Sequence, residues 1–168
     1  MSSEVTTRTA TETYLANNAA YAAQFHGPLP LPPAKHTAVV ACMDARLDVY
    51  RILGLSEGDS HVIRNAGGVV TDDAIRSLVI SQRLLGTTEI ILIHHTDCGM
   101  LTFTDDQLRN TIGAETGFKP PYALHAFDDL AVDVRAGIAR IKADRHLLHR
   151  ENVRGFIFDV ATGRLNEV

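Results

Sequence analysis

The sequence has little cysteine, no surplus of positive charge and no long uncharged hydrophobic run. Two cysteines in 168 residues are too few for a disulfide framework, and a domain of this length does not need one, so both thiols are open to other chemistry. Lys plus Arg number 16 against 20 Asp plus Glu, a formal net charge of -4, which argues against binding to a phosphate backbone. No stretch reaches membrane-spanning length without a charge, and the N-terminal region lacks the basic start, apolar segment and small-residue cleavage site of a secretion signal. A soluble, cytoplasmic chain with neither nucleic acid nor membrane as partner is the expectation. There is no CxxC pair to suggest a dithiol redox centre and no G-x-G-x-x-G to suggest a dinucleotide. Internal repeats and low-complexity segments are also missing.

What is present suffices for one core. With 45% of residues hydrophobic and 21% charged, residues 1–168 are expected to form a single domain, with an N-terminal helix and arm over 11–34. Residues 1–10 are polar and expected to be loose. Over 11–25 the spacing of Tyr14, Leu15, Asn18, Tyr21, Ala22 and Phe25 predicts a helix with a modest apolar stripe. The sequence GPLPLPP at 27–33 cannot continue that helix and reads as an extended connector. A helix ahead of a stiff arm, with no surface of its own chain left to cover, is expected to lie across a partner subunit.

Beyond the arm, short apolar runs alternate with helical patterns. Strands are expected at 37–42, 61–64, 89–95 and 154–160. Helices are expected around 48–53, ending at Gly54; from Thr71 as N-cap, with Asp72 and Asp73 in the first turn, to Leu85 before Gly86; after Thr104; and over 128–142. This is the signature of an α/β fold, a central, mostly parallel four-stranded sheet flanked by helices.

The two cysteines occupy comparable places, Cys42 ending the first strand in CMDAR and Cys98 following the third in HHTDCG. Carboxyl ends of parallel strands share one edge, where ligands bind, and His95 lies at the mouth of the third strand. Cys42, His95 and Cys98 thus make a set suited to zinc, with a fourth position for water or a carboxylate. Singly, Cys42 reads as a small buried hydrophobe and His95 as a core histidine. Together, with both cysteines of the chain at one edge and a histidine at local ligand spacing, they favour a metal. Asp44 and Arg46, just after Cys42, can form a bidentate ion pair. Asp44 either ligates the metal and closes the site, or is held off it by Arg46 and accepts a hydrogen bond from hydroxide; the plainer alternative is a turn ion pair.

These residues carry a resemblance. C-x-D-x-R at 42–46 and H-x-x-C-G at 95–99 resemble the two signature segments of the beta-class carbonic anhydrases, and RNAGG at 64–68 resembles the segment between them. The likeness runs from residue 35 to residue 160, and the wording VACMDAR and TDCGM is similar to the small mycobacterial-type branch. It implies one Zn2+ per chain held by Cys42, His95 and Cys98, with Asp44 taking the fourth position at lower pH or turning to Arg46 as the site opens. It implies an extra edge strand on the sheet, a homodimer able to pair again into a homotetramer, and an N-terminal helix reaching over the neighbour. The implied reaction is reversible hydration of carbon dioxide to bicarbonate and a proton, with Asp44 orienting hydroxide and Arg46 keeping Asp44 ionised.

For the substrate pocket, backbone N–H groups around Ala66, Gly67 and Gly68 are candidates to steady a substrate oxygen, and Val69, Val70 and Leu101 to form an apolar wall. His94 and His61 are candidate proton relays, and Asp97 a candidate partner for His95 or Arg64. Ala45 stands where many members have Ser, and Gly68 where others carry a larger or polar residue, which reshapes the pocket. The glutamine that some members supply has no match, since Gln24 precedes the proline arm. Two alternatives remain beside carbonic anhydrase. One is a carbonyl sulfide hydrolase on the same zinc scaffold, compatible with Gly68 and Ala45; the other is a non-enzymatic, zinc-stabilised bicarbonate-sensing dimer, disfavoured by the intact Asp44 and Arg46.

Overall fold

Thr37–Cys42 (β1) is buried from its second residue to its last, as a strand covered on both faces must be. It lies between Ser60–Asn65 (β2) and Glu89–His95 (β3), parallel to both, and β3 pairs in parallel with Val153–Phe158 (β4). A short fifth strand, Leu165–Glu167 (β5), returns antiparallel on β4, giving the order β2-β1-β3-β4-β5. The sheet is therefore mostly parallel, with the extra strand at one edge. A computed structural model describes residues 8–168, so most of the stretch 1–10 expected to be loose lies outside the described residues.

Period-two alternation divides the core between the two faces of the sheet. Ala38, Val40, Ile90 and Leu92 pack with Ala74 and Leu78 of the helix Asp72–Leu85 and with Ile141 of the helix Leu130–Ala143. Val39, Ala41 and Ile93 face the other way, toward Leu47, Val49 and the partly buried Ile52 and Leu53. In chain order the helices are Ala10–Ala22 (α1), Val49–Leu53 (α2), Asp72–Leu85 (α3), Asp105–Thr116 (α4) and Leu130–Ala143 (α5). Among the described residues, no helix is long and apolar enough to cross a membrane.

Capping chemistry sets the ends. The Thr71 side chain accepts from the N–H of Ala74 at the start of α3, and Gly86 closes it in the left-handed conformation, so the expected bounds are found. Asp129 caps α5, which starts two residues later than the expected 128. Thr9 and Glu12 form a capping box on α1, which ends at Ala22 rather than at Phe25. No residue of α1 is fully buried: Tyr14 is 69% and Leu15 65% exposed, and the contact of the stripe with the rest of the described chain is at Tyr21, which donates to Glu57 at 2.9 Å.

Between β2 and α3 the chain makes a tight turn over Ala66–Gly68 across the ends of β1 and β3. Gly68 has φ +72, and a Cβ there would lie 2.7 Å from the Cys42 nitrogen and 3.0 Å from the Ile93 carbonyl oxygen. Both neighbours are backbone and cannot move aside. Gly68→Ala is therefore expected to destabilise the fold by on the order of 3 kcal/mol, measured as a lowered urea midpoint at unchanged slope; an unchanged midpoint would show that the turn is free to shift.

Candidate metal centre

The β1–β3 register pairs Ala41 with Ile93, so the residues that follow emerge side by side at the carboxyl edge of the sheet. Cys42, His95 and Cys98 are all buried there, and their ligand atoms lie within 4.8 Å of one another. Donor atoms around a tetrahedral zinc sit about 3.3–3.8 Å apart, so small side-chain movements bring this set onto one ion. The imidazole is already committed in orientation. Its Nδ1–H donates to the carbonyl of Thr96 at 2.8 Å, which leaves Nε2 with its lone pair, buried and without a hydrogen-bond partner among the described residues. Burial pushes the Cys98 thiol up to about 11, aided by the nearby Cys42 and opposed by the backbone N–H of Met100. Two thiols and an orphaned imidazole nitrogen in a buried place fit a soft, borderline cation such as zinc, whose charge offsets the cost of forming thiolates there.

Asp44 carries its charge for a different reason. Arg46 donates to it from Nε to Oδ1 at 3.0 Å and from Nη2 to Oδ2 at 2.9 Å, and the backbone N–H of Arg46 adds a third bond at 2.8 Å. These bonds hold the Asp44 carboxyl well below the usual carboxylate range and raise Arg46 in turn. Asp44 Oδ2 nevertheless stands only 3.7 Å from His95 Nε2. The carboxylate is thus beside the cluster while bound to the guanidinium.

Two further contacts were not foreseen from the sequence. Arg64, expected as part of RNAGG and as a candidate partner of Asp97, donates from Nε and Nη2 to the carbonyl of Cys42 at 2.9 and 2.7 Å, and from Nη2 to the carbonyl of Asp44 at 2.6 Å. Its position in β2, opposite Ala41, could have indicated this. Asp97, expected to serve His95 or Arg64, instead accepts from Arg46: Nη1 to Oδ2 at 2.8 Å and Nη2 to the Asp97 carbonyl at 3.0 Å.

A cavity of about 350 Å³ opens over the cluster, and Ala66, Gly67 and Asp44 line it with the three ligand candidates. Gly68 and Val69, assigned to the substrate pocket from the sequence, do not line it. Gly68 is turned against strand backbone, and Val69 lines a separate cavity of about 180 Å³ together with Val70 and Asp133. Leu101 borders an adjoining cleft of about 500 Å³. The apolar wall of the site comes instead from Met100 and Phe103, two and five residues beyond Cys98. Neither candidate relay lines the cavity. His94 points away from it, donating from Nε2 to Asp133 at 2.7 Å and stacking on Phe127, while His61 hydrogen-bonds Ser81 of α3.

Comparison with known proteins agrees with this chemistry. Residues 37–154 match the family described as carbonic anhydrase. The beta-carbonic anhydrase 1 of Mycobacterium tuberculosis is 62% identical over 160 residues, covering 95% of this chain and 98% of that protein. A carbon disulfide hydrolase of Acidianus is 44% identical over 90 residues, 54% of this chain and 44% of its own. Among solved structures, carbonic anhydrase from Streptococcus mutans superposes with a TM-score of 0.90 at 41% identity, over 96% of this chain and 99% of that one. Identity sustained over almost the full length of both sequences, together with a shared fold, places this chain in the beta-class carbonic anhydrases.

Proposed function

We propose that this chain catalyses the reversible hydration of carbon dioxide to bicarbonate and a proton, with one zinc held by Cys42, His95 and Cys98. The observation that carries this reading is the buried cluster of two thiols and an unpartnered imidazole nitrogen, open to a cavity and flanked by an ionised Asp44. When bound, zinc supplies the Lewis acid that lowers the pKa of water enough to provide a hydroxide nucleophile near neutrality. The protein supplies the rest. Asp44, kept anionic by Arg46, accepts the hydroxide hydrogen at a carboxylate oxygen and so turns a lone pair toward the substrate carbon. Arg64 holds the carbonyls on either side of this segment, fixing Cys42 and Asp44 relative to each other. Ala66 and Gly67 line the cavity and offer their backbone N–H groups as donors for an oxygen that gains charge, and Met100 and Phe103 give the apolar surface that a nonpolar gas prefers.

The carbonyl sulfide alternative shares the zinc scaffold, and within this chain Gly68 and Ala45 are the residues compatible with its pocket. Neither residue lines the cavity, so the structure offers no widened wall for a longer molecule. In sequence the carbon disulfide hydrolases match about half of this chain, against 95% for the mycobacterial carbonic anhydrase, and the one whose fold covers 93% of the chain does so at 28% identity.

The same reading takes residues 1–168 as one cytoplasmic domain acting as a homodimer, with pairing of dimers as a further step. Support comes from α1, a helix with no fully buried residue whose Tyr14 and Leu15 are left exposed. In sedimentation the full chain is expected as a dimer or tetramer at micromolar concentration, and removal of residues 8–26 is expected to shift it toward monomer. A full chain that is monomeric under those conditions would refute the assembly.

Two substitutions test the chemistry. Cys98→Ser is expected to leave well under one zinc per chain by elemental analysis and to abolish hydration; full zinc occupancy would remove Cys98 as a ligand. Asp44→Asn is expected to retain zinc but to lower kcat/KM by about 100-fold in stopped-flow assays, the scale of a positioned proton acceptor. Unchanged turnover would take Asp44 out of the mechanism.

A further inference from the structure

The rim of the site contains an interaction that the mechanism leaves unused. Arg46 carries five N–H donors in a fixed plane, and they are divided between two carboxylates. The edge formed by Nε and Nη2 faces Asp44, while Nη1 and the remaining reach of Nη2 go to the carboxylate and the carbonyl of Asp97. Asp97 is placed for this by its backbone. It adopts φ 56, a left-handed conformation that Asp tolerates better than most residues, immediately before Cys98. The guanidinium therefore joins the segment after β1 to the segment after β3, and both segments supply ligand candidates.

We propose that Asp97 is a positioning residue that favours the open form of the site by pinning Arg46, so that Asp44 stays on the guanidinium rather than on the metal. The proposal rests on the reading of Cys42, His95 and Cys98 as a metal centre. Asp44 has two possible partners, because its Oδ2 is bound to Arg46 at 2.9 Å and stands 3.7 Å from His95 Nε2. A guanidinium on a long, free side chain could follow Asp44 toward the metal and keep part of its pairing, which would make closure easy. Pinned at its far edge by Asp97, Arg46 cannot follow, and closure must break both side-chain bonds to Asp44. The charge of Asp97 does little to oppose this. Its side chain is 78% exposed, so water screens its repulsion of Asp44, whereas its hydrogen bonds still fix where the guanidinium sits.

The effect is bounded by that exposure, since charge pairs in solvent contribute little, and about fivefold is the upper expectation. Asp97→Gly keeps the positive φ and removes the carboxylate, and Asp97→Asn keeps an acceptor for Nη1. Each would be compared with the parent chain in the zinc form by stopped-flow hydration and in a cobalt(II)-substituted form by titration with azide, which binds only where the fourth position is free. Asp97→Gly is expected to lower both kcat and azide affinity by about fivefold, with KM, metal content and melting temperature unchanged. Asp97→Asn is expected to fall between the glycine variant and the parent. Equal azide affinity and kcat in all three proteins would overturn the proposal, as would a loss that merely tracks lost metal or a lower melting temperature. A parent chain that binds cobalt and azide but hydrates no carbon dioxide would refute the catalytic reading while leaving the azide arm to decide the role of Asp97; a parent that binds no cobalt would overturn both.

Discussion

Parallel pairing of β1 with β3 is the constraint on which the site depends. It brings the carboxyl ends of two strands that are distant in sequence onto one edge, so a cysteine from one and a histidine and cysteine from the other become neighbours. Parallel neighbours need a crossover, and α3 provides it on the face opposite α2. The turn at Ala66–Gly68, between β2 and that helix, then lies against both strand ends, where Gly68 admits strand backbone at a distance that excludes any side chain. Arg64 adds a lateral tie: facing Ala41 across the β1–β2 ladder, it can reach the carbonyls of Cys42 and Asp44. The floor, one wall and three ligand candidates of the cavity are consequences of a single sheet register.

Within that frame, negative charge is created in two ways. Burial opposes ionisation of the Cys98 thiol, so its charge is favoured mainly when a cation is there to receive it. Asp44 is ionised without a metal because a neighbouring guanidinium already compensates it. This division has a mechanistic result. A carboxylate that lacked its own counter-charge, placed this close to a divalent ion, would be drawn in as a fourth ligand and leave no position for water. Paired with Arg46, it remains beside the centre as a hydrogen-bond acceptor.

Much of this was legible in the sequence, for reasons that differ by residue. β1 and β3 fall at the expected residues because continuous apolar runs of strand length have little else to become, and α3 was bounded by a Thr cap and a Gly stop that each satisfy specific backbone groups. The ligand candidates followed from strand ends plus donor type. What escaped was long-range and orientational. Strand ends do not reveal which way a turn faces, so Gly68 and Val69 are expected at a cavity that they do not line, while Met100 and Phe103, which do, carry no mark in the sequence that separates them from core residues. Arg64 and Asp97 were noticed, but their partners lie across strands, and a guanidinium can reach several acceptors at once. His94 shows the same limit: adjacent to His95, it faces the opposite side of the sheet because successive strand residues alternate.

The electrostatics of Asp44 also separate two sources of pH dependence. A carboxylate whose folded pKa is depressed keeps its charge, and the stability of its ion pair, above the unfolded value near about 3.9, and loses them only as pH falls through the lower folded value. Across the neutral range Asp44 is therefore an anion throughout, and protonation of Asp44 itself cannot switch activity there. A change of partner can. On the proposed reading, Asp44 and hydroxide contend for the fourth position, and hydroxide grows about tenfold in concentration per pH unit while the charge of Asp44 stays constant. Activity that rises through neutrality would then report ligand exchange rather than titration of the carboxylate, and its midpoint would depend on how firmly Arg46 retains Asp44. The guanidinium at the rim thereby becomes the element through which residues outside the metal centre can set the pH at which the site opens.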